Sequence, residues 1–365
     1  MTGPVPAQEQ VTGPASGRSL REAAAGHFRL GVGVSLRTLE NPDDRALLTR
    51  HFAIVTPENC MKPQAVHPAE GTWRFGESDR FVALARGAGL DVVGHCLVWA
   101  KDDRTDSWMM TEEDGQPVSR ETLLKRIDDH VRTVVGRYAD AATMWDVVNE
   151  AVADSGDSLL RDSVYSRTIG IDFVVTAFKA ARAKDPDALL IYNDYNDQMP
   201  EKRRRIVAFL KELKAKGAPV DAYGMQGHFE LGEDVVPQLR AMFDEVQALG
   251  LKVVVSELDL DVVKRYRWWA DNGAYREELA RTNPYPDGLP PEIQKQLADQ
   301  YAAIFRLFEE RRDQIARVSF WNLHDGESWL NDFPWKRTNH PLLFDRERKP
   351  KPAFDAVYEV LSGRR

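Results

Sequence analysis

At 365 residues the chain could hold two or three average domains or one large α/β barrel, and 43% hydrophobic with 29% charged residues suits a globular protein with a sizeable core. A net charge of −8, a pI near 5.6 and the lack of a Lys/Arg stripe exclude an electrostatic nucleic-acid binder. No apolar run approaches the roughly 20 residues needed to span a bilayer, so no membrane partner is expected.

Residues 1–17 are Pro, Gly, Ala and polar residues without periodicity, and are read as a disordered leader or linker. They lack the charged segment and apolar core of a secretory signal. A short amphipathic helix from Ser19 to about His27 precedes the first strand, Phe28–Val34. Helix 42–51 leads to strand two, Phe52–Val55, and helix Glu77–Ala88 leads to strand three, Asp91–Trp99. A long helix, Arg120–Tyr138, precedes strand four, Thr143–Ala151, an apolar β-branched run that ends in Asn149-Glu150. Helix Asp172–Lys184 and strand five, Ala188–Asp194, follow. Helix Glu201–Lys216 then leads to strand six, Val220–His228, and helix Val235–Leu249 to strand seven, Val253–Asp259, which carries Glu257. An aromatic insert, 262–290, holds Tyr266, Trp268, Trp269, Tyr275 and Tyr285. Helix Pro291–Arg312, strand eight (Ala316–Trp321) and a last helix, Pro352–Leu361, complete the chain.

Eight short apolar strands alternating with helices imply right-handed crossovers and a parallel sheet. Eight repeats in one mid-sized chain predict a single (β/α)8 barrel, residues 18–365. Its strands direct their carboxyl ends to one mouth, where polar residues distant in sequence converge. The ends offer Glu58, Asn59 and Lys62; His95 and Trp99; Asn149 and Glu150; Asn193 and Asp194; Gln226 and His228; Glu257 and Asp259; Trp321, His324 and Asp325. Two buried strands each delivering one Glu suggest paired-carboxylate catalysis, and nine Trp supply flat faces on which sugar rings stack. If the carboxyl groups sit ~5–5.5 Å apart the chemistry is retaining; at ~6.5–9.5 Å a water fits and the chemistry inverts. Cys60 and Cys96 have no metal-ligand spacing and read as small buried hydrophobes, with a single bridge left open. Neither a metal nor a cofactor is expected: no His-x-x-x-His or closely spaced carboxylate cluster occurs.

Trp145-Asp146-Val147-Val148-Asn149-Glu150-Ala151, Gln226-Gly227-His228 and Ser256-Glu257-Leu258-Asp259 resemble the signatures of family 10 glycoside hydrolases, the endo-β-1,4-xylanases. So do Glu58-Asn59-Cys60-Met61-Lys62, Gly94 through Trp99, Tyr192 through Asn196, Phe320 through Trp329, and Pro341 through Asp345. The likeness covers roughly residues 20–362 in the right order. It implies a retaining enzyme with Glu150 as general acid/base and Glu257 as nucleophile. By the same resemblance Asn149 bonds the 2-hydroxyl of the attacked sugar, and His228 with Asp259 keeps the nucleophile ionised and oriented, Gln226 standing beside them. Glu58, Asn59, Lys62, His95 and Trp99 are then glycone-side sugar binders, Tyr195 is a further substrate binder, and Trp321 and Trp329 are indole walls that favour xylose over glucose. Glu150 has to keep a proton near neutral pH, so burial or a charged neighbour is expected to raise its pKa. The resemblance further implies xylan and xylo-oligosaccharide substrates, a monomer, and a secreted or periplasmic setting.

One stretch departs from the pattern. After Trp99 many family members continue His-x-Gln, whereas this chain has Ala100-Lys101-Asp102-Asp103-Arg104. Subsite recognition there is open, with Asp102 as a possible replacement partner for a sugar hydroxyl. An exo-acting β-xylosidase or a β-glucanase on the same barrel is the second reading. A non-catalytic sugar-binding barrel is the third, and it would call for loss of a Glu that this chain retains.

Overall fold

The computed structural model describes residues 17–265 and 273–363. The leader expected over 1–17 therefore lies outside the described residues as far as residue 16, as do Tyr266, Trp268 and Trp269 of the insert.

Nine strands occur in order among the described residues: β1 (Arg29–Val34), β2 (Ile54–Pro57), β3 (Asp91–Trp99), β4 (Ala142–Asn149), β5 (Leu189–Asp194), β6 (Ala222–Met225), β7 (His228–Glu230), β8 (Lys252–Asp261) and β9 (Ile315–Trp321). Neighbouring strands pair in parallel, β6 joins β8 and β9 joins β1, so eight strands close a barrel. The short β7 adds to the upper half of β8 and sets His228 beside Asp259.

The barrel strands are buried almost end to end because helices cover their outer faces. The helix Arg120–Tyr138 shows how. Ser119 caps it by accepting the Thr122 N–H, and Leu123, Ile127, Val131, Val134 and Tyr138 recur at helical spacing on the buried face. Inside, Ile54, Val93, Met144, Ile191, Ala222 and Val254 form a separate apolar plug beneath the mouth. Two tryptophans need glycine opposite them: a Cβ at Gly33 would lie 2.5 Å from the Trp321 ring, and one at Gly94 would lie 2.0 Å from Trp145.

Most elements lie within a residue or two of the sequence reading, and two departures shape the mouth. The sixth strand was expected to run unbroken through His228. It stops at Met225 and resumes as β7, because Gly227 takes a φ of 83°. The fourth was expected to reach Ala151 but ends at Asn149, and Glu150 follows with a φ of 59°, in the left-handed region. No described helix is long and apolar enough to cross a membrane. Of the aromatic insert, Tyr275 and Tyr285 pack down against the core.

Candidate active site

Glu150 and Glu257 stand at the ends of β4 and on β8, each 6% exposed. One hydrogen-bonded set joins them. Asn193, at the end of β5, donates through Nδ2 to Glu257 Oε1 (2.8 Å) and to Asn149 Oδ1 (2.9 Å). Its side-chain Oδ1 accepts from the Ser256 hydroxyl (2.6 Å), which fixes the amide's orientation. Gln226 donates to Glu150 Oε1 (3.1 Å) and more weakly to Asn149 Oδ1 (3.4 Å). The structure thus brings Asn149, Gln226 and both carboxylates together.

Glu257 has a second partner. His228 places Nε2 3.2 Å from Glu257 Oε2 and Nδ1 3.0 Å from Asp259 Oδ1. Burial alone would lower its pKa, but the two carboxylates outweigh burial and push the imidazole up to about 9. His228 is therefore an imidazolium at neutral pH, a positive neighbour for Glu257. Asp259 is also held by the Trp329 indole N–H (2.7 Å), and the Trp329 and His228 rings lie 4.9 Å apart.

Glu150 is in the opposite position to the one expected. Burial does favour its neutral form, yet Lys101 Nζ lies 2.6 Å from Oε2, and this ion pair with the Gln226 bond holds the carboxyl down to about 2. The free enzyme carries Glu150 as a carboxylate.

The remaining predicted binders surround this centre. His95 is fully enclosed, its Nδ1 2.9 Å from Asp146 Oδ2 and its ring edge-on to Trp321 at 5.4 Å. Burial raises the Glu58 carboxyl, with Lys62 opposing. Lys62 donates to Asn59 Oδ1 (2.9 Å) and stands 4.8 Å from the Trp99 ring centre. Tyr195 donates to Asp154 (2.8 Å) and accepts from Arg161. Asp102 does not point at the mouth: Oδ1 accepts the Val164 N–H (2.6 Å) and Oδ2 pairs with Arg167 (2.6 Å). Asp325 and His324 serve packing as well. Asp325 is buried against Lys351 (2.8 Å), and His324 accepts the Gly326 N–H. Cys60 and Cys96 are both free and buried, and burial pushes the Cys60 thiol up to about 12.

Several contributors escaped the sequence reading. Asn193 was seen as a strand end but not as the link between Asn149 and Glu257. Asp146 sits behind His95, with Arg317 3.9 Å away. Arg161 Nε donates to the Glu150 carbonyl (3.0 Å). Lys101 lay in plain view within the departing stretch, and only its side-chain direction was missing. Among the described residues Asp44, His324 and Glu327 could each turn one atom to a common point, but Arg348 already holds both Asp44 oxygens.

A (β/α)8 barrel with two enclosed carboxylates at its mouth, amides between them and indoles beside them defines a glycosidase-type site. The glycosyl hydrolase family 10 profile matches residues 19–360. An endo-1,4-β-xylanase of Geobacillus stearothermophilus is 39% identical over 344 residues, covering 94% of this chain and 98% of that protein. Endo-1,4-β-xylanase B of Paenibacillus barcinonensis is 38% identical, covering 92% and 96%. The solved structure of an endoxylanase from a sugarcane soil metagenome superposes with a TM-score of 0.86 at 36% identity, covering 94% and 99%. This chain belongs to glycosyl hydrolase family 10.

Proposed function

We propose that the protein is a retaining endo-1,4-β-xylanase in which Glu257 is the nucleophile and Glu150 the acid/base. The observation that carries the reading is the joined pair: Glu257 rests against the His228 imidazolium that Asp259 holds, Glu150 rests against Lys101, and Asn149, Asn193 and Gln226 link the two carboxylates. In the first step Glu257 bonds to the anomeric carbon as the glycosidic C–O bond breaks, and Glu150 gives its proton to the departing oxygen. Water then adds to that carbon, its proton passes to Glu150, and the Glu257 ester bond breaks with net retention.

Asn149 is read as the partner of the 2-hydroxyl. Glu58, Asn59, Lys62, His95, Trp99 and Tyr195 are read as sugar contacts, and Trp321 and Trp329 as walls of the catalytic subsite. Xylan is a polymer, so the enzyme is placed outside the cytoplasm, and we read it as a monomer; sedimentation at working concentration tests the latter. The function is tested by a product profile on unsubstituted xylan, cellulose and mixed-linkage glucan, with anomeric configuration followed by NMR. Early β-configured xylo-oligosaccharides are expected. Xylose alone as first product would replace the endo reading by an exo one, and α-configured products would remove the retaining mechanism.

A further inference from the structure

The acid/base carboxylate meets a cation at the stretch where the chain leaves its family's pattern. Lys101 lies just beyond β3, its side chain 27% exposed, with Nζ 2.6 Å from Glu150 Oε2. Among the described residues no other carboxylate lies within ion-pair distance of it. Its ammonium stands between two aromatic walls of the mouth, 5.5 Å from the Trp99 ring centre and 5.8 Å from that of Tyr195. The Arg104 guanidinium lies 5.1 Å from the Trp99 ring centre and is half exposed. A protein of net charge −8 therefore gathers Lys62, Lys101 and Arg104 around one indole at its catalytic mouth.

The two halves of a retaining cycle ask opposite things of Glu150. The second half needs a carboxylate that accepts a proton from water, and an ammonium at 2.6 Å maintains that form. The first half needs a carboxylic acid, and the same ammonium opposes it. The other groups around Glu150 leave Lys101 decisive. Arg161 spends its guanidinium on the Glu150 carbonyl, Tyr195 and Asp154. Lys202 is bound to Asp154 and Asp194. Gln226 and Asn149 are neutral, and the Cys96 thiol is held protonated by burial. The Trp99 indole, like Gln226, favours the carboxylate, whereas burial and the acidic Asp194 favour a protonated Glu150 once Lys101 has left.

We propose that Lys101 is a positioning residue that clamps Glu150 as a carboxylate in the free enzyme, and that a carboxylate carried by the substrate, as on a uronic-acid branch of xylan, draws Lys101 away. This rests on the reading of Glu150 as the acid/base. The flexible stem of a lysine allows the swing, and Arg104 adds a second donor for the incoming anion. With its counter-charge gone, Glu150 takes a proton from solvent and delivers it to the leaving oxygen as Glu257 bonds to the anomeric carbon. Glu150 is a carboxylate again once that proton has gone to the leaving oxygen, ready for the water step, and Lys101 returns when the acidic fragment leaves.

The test compares kcat/KM across pH for a uronic-acid-branched xylo-oligosaccharide and its carboxyl-reduced counterpart, with wild type, Lys101→Gln and Lys101→Arg. Wild type is expected to favour the acidic substrate by at least about tenfold at neutral pH, the effect of roughly one pKa unit on the proton donor. Lys101→Gln should abolish that preference and raise the alkaline limb on the neutral substrate by about one pH unit or more, while Lys101→Arg retains the preference. Equal wild-type kcat/KM on the two substrates overturns the proposal without using any variant. So does a Lys101→Gln enzyme that folds, by its melting curve, and keeps both the preference and the limb. Failure of wild type to hydrolyse either substrate overturns the xylanase reading itself, whereas hydrolysis without preference removes only the role of Lys101.

Discussion

Glu150 and Glu257 are equally buried, and each faces one cation and one amide donor, so the proposed division of roles is a matter for variants. Glu257 faces an imidazolium and an amide donor, an arrangement that suits a group that attacks as an anion. Glu257→Ala is expected to reduce turnover of xylo-oligosaccharides below about a hundredth of wild type while sugar binding persists. Turnover above that level without an added nucleophile would place the nucleophile elsewhere. Glu150→Ala should cost far more on substrates with poor leaving groups than on activated aryl xylosides, because only the former need protonation; equal losses on both would remove Glu150 from the acid role. The same variant isolates His228. With an activated leaving group kcat/KM no longer depends on the acid, so an alkaline fall near pH 9 should report loss of the imidazolium proton. Adding His228→Asn should abolish that limb, and a limb that survives belongs to another group.

At the scale of elements, the barrel was legible because its strands are apolar on both faces, and an apolar run bounded by polar residues marks its own ends. β3, the helix Arg120–Tyr138 and the helix Asp172–Lys184 have the same bounds in sequence and structure. The ends where backbone conformation changes were less legible. Neither the φ of Glu150 nor the break at Gly227 is written in hydrophobic pattern, since both are set by what the following residues must meet. Glu150 and Glu257 could be singled out because their motifs carry them; Asn193 and Lys101 could not be assigned because their contacts depend on where a side chain points across a strand boundary. Close packing of β3 on β4 gives a prediction at this scale. Gly94→Ala would bring a methyl to 2.0 Å from the fully buried Trp145 ring, so the two strands must part. Overpacking of this kind costs about 1–3 kcal/mol or more. A melting temperature within a degree of wild type would mean that the Trp145 ring has room to move.

Over the whole molecule, buried groups titrate against each other between pH 4 and 7. His51 and His67 are pushed down to about 4 and His130 to about 3, chiefly by burial, against an ordinary 6.5. In that window the unfolded chain binds more protons, so their contribution to stability is lost as pH falls from 6.5 through these values. Asp197 and Glu327 act in the opposite sense. Burial raises both to about 7, so the stability they contribute is full below the ordinary carboxylate value and lost as pH rises through 7. The two sets oppose each other, and a wild-type stability curve in this range is flatter than either set alone would make it. A variant separates them. Asp197 is completely enclosed, and Asn has the shape of its neutral form. Asp197→Asn should melt above wild type by a margin that grows from pH 5 to pH 8, because the unfolded carboxyl is ionised across that range while the folded one keeps its proton up to about 7. The difference is on the order of a few kcal/mol, set by the gap between about 7 and the ordinary 3.8. Calorimetry at the two pH values decides it. An equal offset at both would mean that Asp197 titrates alike in folded and unfolded chains, and the buried histidines would then be opposed by Glu327 and the other carboxyls that burial raises, Glu58, Asp194 and Glu230.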